Sequence, residues 1–396
     1  MRVLIAGGGI GGVTAALALL RHGFDVAVFE QASTLAEVGA GIQISPNGAR
    51  VLYALDLLAQ VEQVAFKPER IEMRFGRSGR KVFTIPLAAE AVRRWGAPYL
   101  HVHRADLLDV LVAELRTKSP SAIRTDARIE RYVTTDNLVE VQLAGGERIV
   151  GDVLIGADGI KSAIREQILG AESPRFTGCV AWRAVVPTAA LGSLAPPPAA
   201  CVWVGEGKHA VTYLLRRGEL ANFVGVVERD DWRHESWTEK GACEDALRDF
   251  AGWHPVVRAL IENAGDLFRW ALFDRDPLQR WTESRVALLG DACHPMLPFM
   301  AQGATMAMED AWVLAAKLKA HADPVAALAA YERARKDRTA KVQRAARANA
   351  GIFHRRTVLA KLGTYGPMWL GARLAPSAVH ARQDWLYGVD VTANAP

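Results

Sequence analysis

Arg2-Val3-Leu4-Ile5-Ala6 runs straight into Gly7-Gly8-Gly9-Ile10-Gly11-Gly12. An apolar stretch then reaches Arg21-His22-Gly23, and Asp25-Val26-Ala27-Val28-Phe29-Glu30 follows. Val3–Ala6 predicts a short buried strand, because four apolar residues stand directly before glycines. Gly12–His22 is apolar at helical period and ends in a basic last turn with a glycine stop, which predicts a helix. Asp25–Glu30 predicts a second strand. Together they make a βαβ unit whose turn carries Gly7-x-Gly9-x-x-Gly12. In that pattern Gly7 permits the tight turn, Gly9 lets the backbone approach a pyrophosphate, and Gly12 lets helix and strand pack closely. The helix N-terminus offers unpaired N–H groups and the positive end of its dipole to the same anion. Glycine-rich turns occur in many folds, and it is the strand–helix–strand context that makes this one a dinucleotide site.

Glu30 ends the second strand, where a carboxylate accepts hydrogen bonds from a ribose, and Gln31 joins it as a cofactor contact. An acid there repels a 2′-phosphate, so FAD or NAD fits better than NADP. Two later segments bear on the choice. Asp152-Val-Leu-Ile-Gly-Ala-Asp158-Gly159 is a strand ending in Asp-Gly. Val286-Ala-Leu-Leu-Gly290-Asp291 is a strand ending in Gly-Asp, followed by His294-Pro295 and Gln302-Gly303-Ala304. A strand-end carboxylate such as Asp291 suits the ribityl hydroxyls of a flavin. Gly303 and Ala304 open a helix whose amides suit negative charge on a reduced flavin ring. No second GxGxxG is present, so a separate pyridine-nucleotide domain is not expected.

The ordered set of GxGxxG, His103-Arg104 before a helix, Asp158-Gly159 and Gly290-Asp291-Ala292-x-His294-Pro295 resembles the single-component FAD-dependent aromatic hydroxylases. These have the fold of para-hydroxybenzoate hydroxylase, and the resemblance spans Met1 to about Arg347. It is greatest for the salicylate, 3-hydroxybenzoate and 6-hydroxynicotinate hydroxylases, supported by Gly39-Ala-Gly-Ile-Gln43-Ile-Ser-Pro46-Asn47, Met300-Ala-Gln-Gly303-Ala304 and Asp384-Trp-Leu-Tyr387-Gly388.

The resemblance implies an α/β architecture. A Rossmann-like FAD-binding domain is interrupted by an antiparallel β-sheet substrate domain and followed by C-terminal helices. The expected boundaries are 1–175 (FAD-binding, with some substrate-domain strands near 70–100), 176–275 (β-rich substrate domain), 276–350 (FAD-binding again) and 351–396 (helical extension). It implies FAD as the bound cofactor and NADH or NADPH as a transient co-substrate. O₂ adds to the flavin, and a C4a-hydroperoxide hydroxylates the ring of a phenolic or N-heteroaromatic acid. Arg104 is expected at the FAD diphosphate, Ile129 at the adenine through its backbone, and Asp158 at the pyrophosphate. Arg104 as a surface salt-bridge partner and Ile129 as a plain core residue are the alternatives.

The substrate pocket is expected in the β-rich region. His209 and Tyr213 fall on one predicted strand, and period 2 puts both on one face. A base at a phenolic oxygen makes the ring more electron-rich and speeds its attack on oxygen. Tyr213, relayed to His209, is the expected catalytic pair. The alternative makes Tyr213 a core aromatic and His209 a surface turn residue after Gly207-Lys208. Gln43, Arg183, Pro298 and Phe299 are expected at the substrate, with Arg183 the candidate for a carboxylate. Where the 6-hydroxynicotinate enzymes carry histidines, this chain has Gln43 and Phe299, so a bulkier or more apolar ring gains ground. A flavin monooxygenase or epoxidase of a larger polycyclic or isoprenoid substrate is the second reading, and a flavin-binding sensor without turnover the third.

Composition bounds the rest. The 396 residues suggest two or three domains, and with 50% hydrophobic and 23% charged residues the chain is no candidate for disorder. Lys and Arg exceed Asp and Glu, 48 against 43, which is too little for a nucleic-acid binder. Four scattered cysteines with no CxxC argue against a disulfide scaffold or a metal site, and no metal is expected. The uncharged run Val3–Leu20 could pass for a signal peptide, but its glycines and lack of an A-x-A cleavage site argue against one. The expectation is a cytoplasmic protein without membrane contact, a monomer or homodimer.

Overall fold

The computed structural model describes residues 1–35, 40–172, 174–229 and 239–393. Gly39 of the quoted motif lies outside them.

The N-terminal expectation holds element by element. Arg2–Ala6 is a strand, Ile10–Arg21 a helix and Asp25–Phe29 a parallel strand beside the first. Val3, Leu4 and Ile5 are each fully buried, as a parallel strand covered on both faces requires. Burial of this kind contributes about 1.5–3 kcal/mol per side chain. The strand heads a six-stranded sheet in the order 282–283, 286–288, 153–156, 2–6, 25–29, 123–124. All neighbours pair in parallel except the first two. The strand after Asp152 is therefore the sheet neighbour of the first, the strand before Gly290 lies next beyond it, and the carboxyl ends of all three open together. Val3–Leu20 is split between strand, turn and helix. Among the described residues no helix is long and apolar enough to cross a membrane.

A seven-stranded sheet runs in the order 268–274, 175–187, 220–228, 208–215, 199–205, 70–75, 81–86. It is antiparallel throughout except where 199–205 meets 70–75, which is parallel. Its last two strands thus come from the first third of the chain. Between them and residue 104, Ala88–Trp95 is a helix, and Leu100–His103 pairs instead with Gly41–Ile44 in a two-stranded ribbon.

The strand alternation gives this sheet two different faces. Trp182, Trp203, Ala210 and Phe223 pack with Phe250, which closes the helix Cys243–Asp249, and with Val257 and Leu260 of the helix Pro255–Glu262. The other face carries Met73, Ala181, Val204, Val226 and Trp270. It meets Leu297, Phe299, Ala346 and Phe353. These covering residues belong to the turn Pro298–Met300, its approach, and the long helix Pro324–Phe353. That helix begins where Asp323 accepts hydrogen bonds from the amides of Val325 and Ala326, with Pro324 in the first turn.

The C-terminal residues are tied in rather than trailing. The Asp384 carboxylate accepts from Arg94 at 2.6 and 2.7 Å and from Trp95 Nε1 at 2.8 Å. Arg338 donates to the carbonyls of Trp385 and Leu386. Tyr387 is thereby held against Trp95 and Tyr99, ring centroids 5.1 and 5.8 Å apart.

Candidate active site

A cleft of about 500 Å³ opens at the carboxyl ends of the parallel strands. Every expected cofactor residue except Gly12 lines it: Gly7, Gly9, Glu30, Gln31, Arg104, Ile129, Asp158, Asp291, Gly303 and Ala304. Gly12 is beside it, in the helix–strand contact. A Cβ on Gly12 would lie 2.0 Å from the Gly7 carbonyl oxygen. Gly7 has φ +101°, and a Cβ there would lie 2.4 Å from the Ala157 oxygen. A Cβ on Gly9, by contrast, meets no atom of the described residues within 4 Å. Two glycines are thus demanded by the protein's own packing, and the third leaves its side of the turn open to the cleft.

The lining matches a dinucleotide in charge and in polar groups. Arg104, Arg128 and Lys161 supply three cations. Arg128 and Lys161 were not singled out in the sequence, although each adjoins an expected residue. Glu30 accepts from the amides of Gly8 at 2.7 Å and Ala32 at 2.8 Å, and each oxygen keeps a lone pair for a ribose hydroxyl. Asp158 Oδ1 is buried with no hydrogen-bond partner among the described residues. Burial pushes its carboxyl up, and a donor from a ligand would relieve both costs. Asp291 is open to the cleft yet ringed by protein, and that burial pushes its carboxyl up too. Gly303 and Ala304 begin an eighteen-residue helix whose first amides face the cleft. These residues fit FAD.

Beneath the Asp291 turn lies a buried charge cluster that the sequence did not announce. Arg335, 1% exposed, donates to Asp310 Oδ1 at 2.7 Å and Glu309 Oε2 at 2.6 Å. Arg338 and Asn47 reach Glu309 from either side. Asp310 Oδ2 contacts His294 Nε2 and accepts from the Gly290 amide. Burial pushes the Asp310 carboxyl up, but His294 and Arg335 outweigh it and hold it below the usual range. The donor atoms of Cys293, His294 and Asp310 lie within 4.8 Å of one another. Asp310 Oδ1 is already engaged by Arg335 and Oδ2 by His294 and an amide, so the trio reads as a hydrogen-bonded cluster supporting the turn.

The expected substrate residues meet on the second face of the seven-stranded sheet. Across it, Met73, Val202, Val211, Val224 and Arg183 stand in register on five strands. Val202, Val211 and Val224 are only partly covered although they sit at the sheet's centre, so space remains above them. His209 and Tyr213 flank the strip on the central strand, and Arg183 closes one end. The Arg183 guanidinium lies 5.1 Å over the Trp270 ring and near enough to Tyr213 to act on it electrostatically. Phe299 packs edge-on against His209 at 5.0 Å, in the turn that Pro298 begins. Gln43 Oε1 accepts from the Tyr99 hydroxyl at 2.6 Å.

One expectation about the catalytic pair changes, and the alternative placing of His209 falls. His209 is 1% exposed, so it is no surface turn residue. A direct relay between Tyr213 and His209 is also ruled out by geometry: four residues of strand separate them by about 13 Å. His209 Nδ1 instead lies 2.7 Å from His354 Nε2, and Tyr213 packs on His101 at 4.8 Å. Asn222, opposite Tyr213 in register, was missed as well. Its Oδ1 accepts from the Gly41 amide at 2.9 Å, tying the sheet to the cleft-lining ribbon, while its Nδ2 is buried without a partner among the described residues.

Comparison with known proteins agrees with this geometry. Residues 1–346 match the family described as FAD binding domain. The chain is 40% identical over 354 residues to a 3-amino-4-hydroxybenzoate 2-monooxygenase of Streptomyces platensis, covering 89% of this chain and 88% of that one. It is 39% identical to a 6-hydroxynicotinate 3-monooxygenase of Pseudomonas fluorescens, covering 98% and 95%. The crystal structure of Klebsiella pneumoniae HpxO with FAD and uric acid superposes with a TM-score of 0.86 at 31% identity, over 98% of this chain and 97% of that one. The chain belongs to the FAD-binding-domain family and is an FAD-dependent aromatic monooxygenase.

Proposed function

We propose that the protein hydroxylates a small phenolic or N-heteroaromatic acid, held on the strip between Arg183 and the His209–Tyr213 strand. The observation that carries this reading is the strip itself. Three partly covered valines form a flat apolar floor of ring width. A cation stands at one end, and two hydrogen-bonding aromatic side chains flank it. FAD, which Glu30, Arg104, Asp158 and Asp291 would hold in the cleft, would when bound and reduced by NADH or NADPH supply the O₂-activating chemistry that hydroxylates the ring. The chain's own residues bind and orient. Arg183 pairs with the substrate carboxylate, which its fork of donors suits better than any neutral group. Tyr213 hydrogen-bonds the ring's polar edge on its own side of the strip, and Phe299 walls the ring and excludes water. Gln43, its oxygen engaged by Tyr99, keeps its amide group as a donor. The two enzymes named above support the class, since each name describes a six-membered ring bearing a hydroxyl and a carboxylate.

Perturbation of the flavin visible spectrum tests this reading. Salicylate, 3- and 4-hydroxybenzoate, 6-hydroxynicotinate and 3-amino-4-hydroxybenzoate are titrated against the same rings lacking the carboxylate. At least one acid is expected to bind at least about tenfold tighter than its carboxylate-free counterpart, and Arg183→Gln to abolish that difference. Equal binding of both series in wild type and variant would redirect the assignment to a larger, uncharged substrate.

A further inference from the structure

We propose that His354 and Glu228 form, with His209, a proton relay that presents His209 as a base to the substrate and carries the phenolic proton to solvent. The inference rests on the reading of the His209 face as the substrate face.

Three distant pieces of chain converge here: the start of the strand Lys208–Leu215, the last residue of the strand Leu220–Glu228, and the residue closing the helix Pro324–Phe353. His209 Nδ1 lies 2.7 Å from His354 Nε2, and His354 Nδ1 lies 2.9 Å from Glu228 Oε1. A carboxylate only accepts, so His354 carries its proton on Nδ1. Its Nε2 is then bare and accepts from His209 Nδ1–H. That leaves His209 Nε2 with a free lone pair. Glu228 thus fixes the tautomer of both imidazoles, and the ring nitrogen not used by the chain is a base.

Accessibility rises along the chain. His209 is 1% exposed and His354 5%, while the Glu228 side chain is 33% exposed. Phe299 and Phe353 wall His209, at 5.0 Å each. Arg356 pairs with the second Glu228 oxygen, and a Cβ on Gly207 would lie 2.8 Å from its guanidinium. Among the described residues, titratable groups nearby include Cys179, whose thiol burial pushes up to about 11, Arg77, and the Lys361–Glu206 ion pair. Burial lowers both histidines, with the neighbouring imidazole adding to the effect on His209 and Glu228 opposing it on His354. Both are therefore neutral near pH 7, each with one ring nitrogen that carries no proton.

The step is a proton transfer without redox change. The O–H bond of the ring hydroxyl breaks as N–H forms at His209 Nε2. The Nδ1 proton of His209 passes to His354 Nε2, the Nδ1 proton of His354 passes to Glu228, and Glu228 releases it to water. A proton returning by the same path to the product's ring oxygen restores both tautomers.

The test uses the FAD-loaded enzyme and three variants, Glu228→Gln, His354→Gly and His209→Asn. The probe is 4-hydroxy-3-nitrobenzoate, whose colour reports ionisation when bound. Glu228→Gln is expected to raise the pH of half-ionisation of the bound probe by about one unit and to shift the pH profile of hydroxylation the same way. His354→Gly is expected to slow hydroxylation at least about tenfold. Added imidazole, filling the vacated space, should restore the rate, which a purely structural loss would not permit. FAD affinity should stay within about twofold in both. If His209→Asn abolishes probe ionisation while Glu228→Gln and His354→Gly leave the profile unshifted and imidazole does nothing, the relay is wrong and the substrate-face reading stands. If His209→Asn itself changes neither ionisation nor rate, both fall.

Discussion

Arg335 and Asp310 form a fully buried ion pair, Nε to Oδ1 at 2.7 Å, directly beneath the turn that carries Asp291. The pair joins the two long C-terminal helices to the floor of the cofactor cleft. Removing the arginine takes one cationic partner from each of two buried carboxylates, leaving Glu309 with Arg338 and Asn47 and Asp310 with His294 and the Gly290 amide. Arg335→Ala is expected to cost about 3 kcal/mol, because it breaks a buried ion pair whose remaining partners compensate it only in part. Thermal unfolding followed by flavin fluorescence should show a large drop in midpoint, with flavin release in the same transition. A midpoint within a degree or two of wild type would refute the supporting role.

The same cluster predicts acid sensitivity. His294 and the arginines hold the Asp310 and Glu309 carboxyls below their ordinary values, despite burial that pushes the other way. Their contribution is therefore present above the unfolded carboxylate values and lost as pH falls through the folded ones. His101 adds to the slope. It is fully buried and pushed down to about 3 by burial, so the unfolded chain takes up its proton near pH 6.5 and the folded chain only near 3. Stability should decline across that window, and His101→Phe should flatten the upper part of the decline in a urea series run from pH 7.5 to 4.5.

The glycine-rich turn offers a clean separation of folding from binding. A Cβ on Gly12 strikes backbone at 2.0 Å, whereas one on Gly9 meets no atom of the described residues within 4 Å. Gly12→Ala should fail to fold normally or fold with a much lowered midpoint. Gly9→Ala should fold as wild type in its apo form yet bind FAD at least about tenfold more weakly, because the added methyl takes space the pyrophosphate needs. Isothermal titration of apoprotein with FAD decides it, and equal affinity for Gly9→Ala would place the pyrophosphate elsewhere.

Tyr213→Phe should slow hydroxylation by about 100-fold or more while FAD affinity stays within about twofold. The hydroxyl belongs to the substrate face, and Tyr213 lines no part of the cofactor cleft. Single-turnover rates on the reduced, substrate-bound enzyme separate the two effects. Unchanged turnover would remove Tyr213 from the mechanism.

The cofactor half of the molecule was legible in the sequence because each of its parts is a contiguous strand followed by a turn. Gly7 to Gly12, Asp158-Gly159 and Gly290-Asp291 each state their own geometry locally. The substrate half is assembled by register between strands far apart in the chain. Cys201 and Glu72, 129 positions apart, become neighbours only through a parallel pairing that no local pattern announces. That is why Arg183 and Phe299 were reachable as candidates, while Asn222, His101 and the His354–Glu228 pair were not. The pairing of Tyr213 with His209 failed for a related reason. Period 2 shows which face a residue shares, but it does not bring residues four apart into contact.

The most direct test of the account is oxygen-isotope incorporation. The enzyme, NADH and the hydroxy-aromatic acid that most perturbs its flavin spectrum are incubated under ¹⁸O₂, and product and hydrogen peroxide are both quantified. The account predicts one ¹⁸O atom in a ring hydroxyl ortho or para to the existing one, formed in near-stoichiometric amount with the NADH consumed. NADH consumption that yields only hydrogen peroxide, with no labelled ring product from any acid of the series, would contradict it.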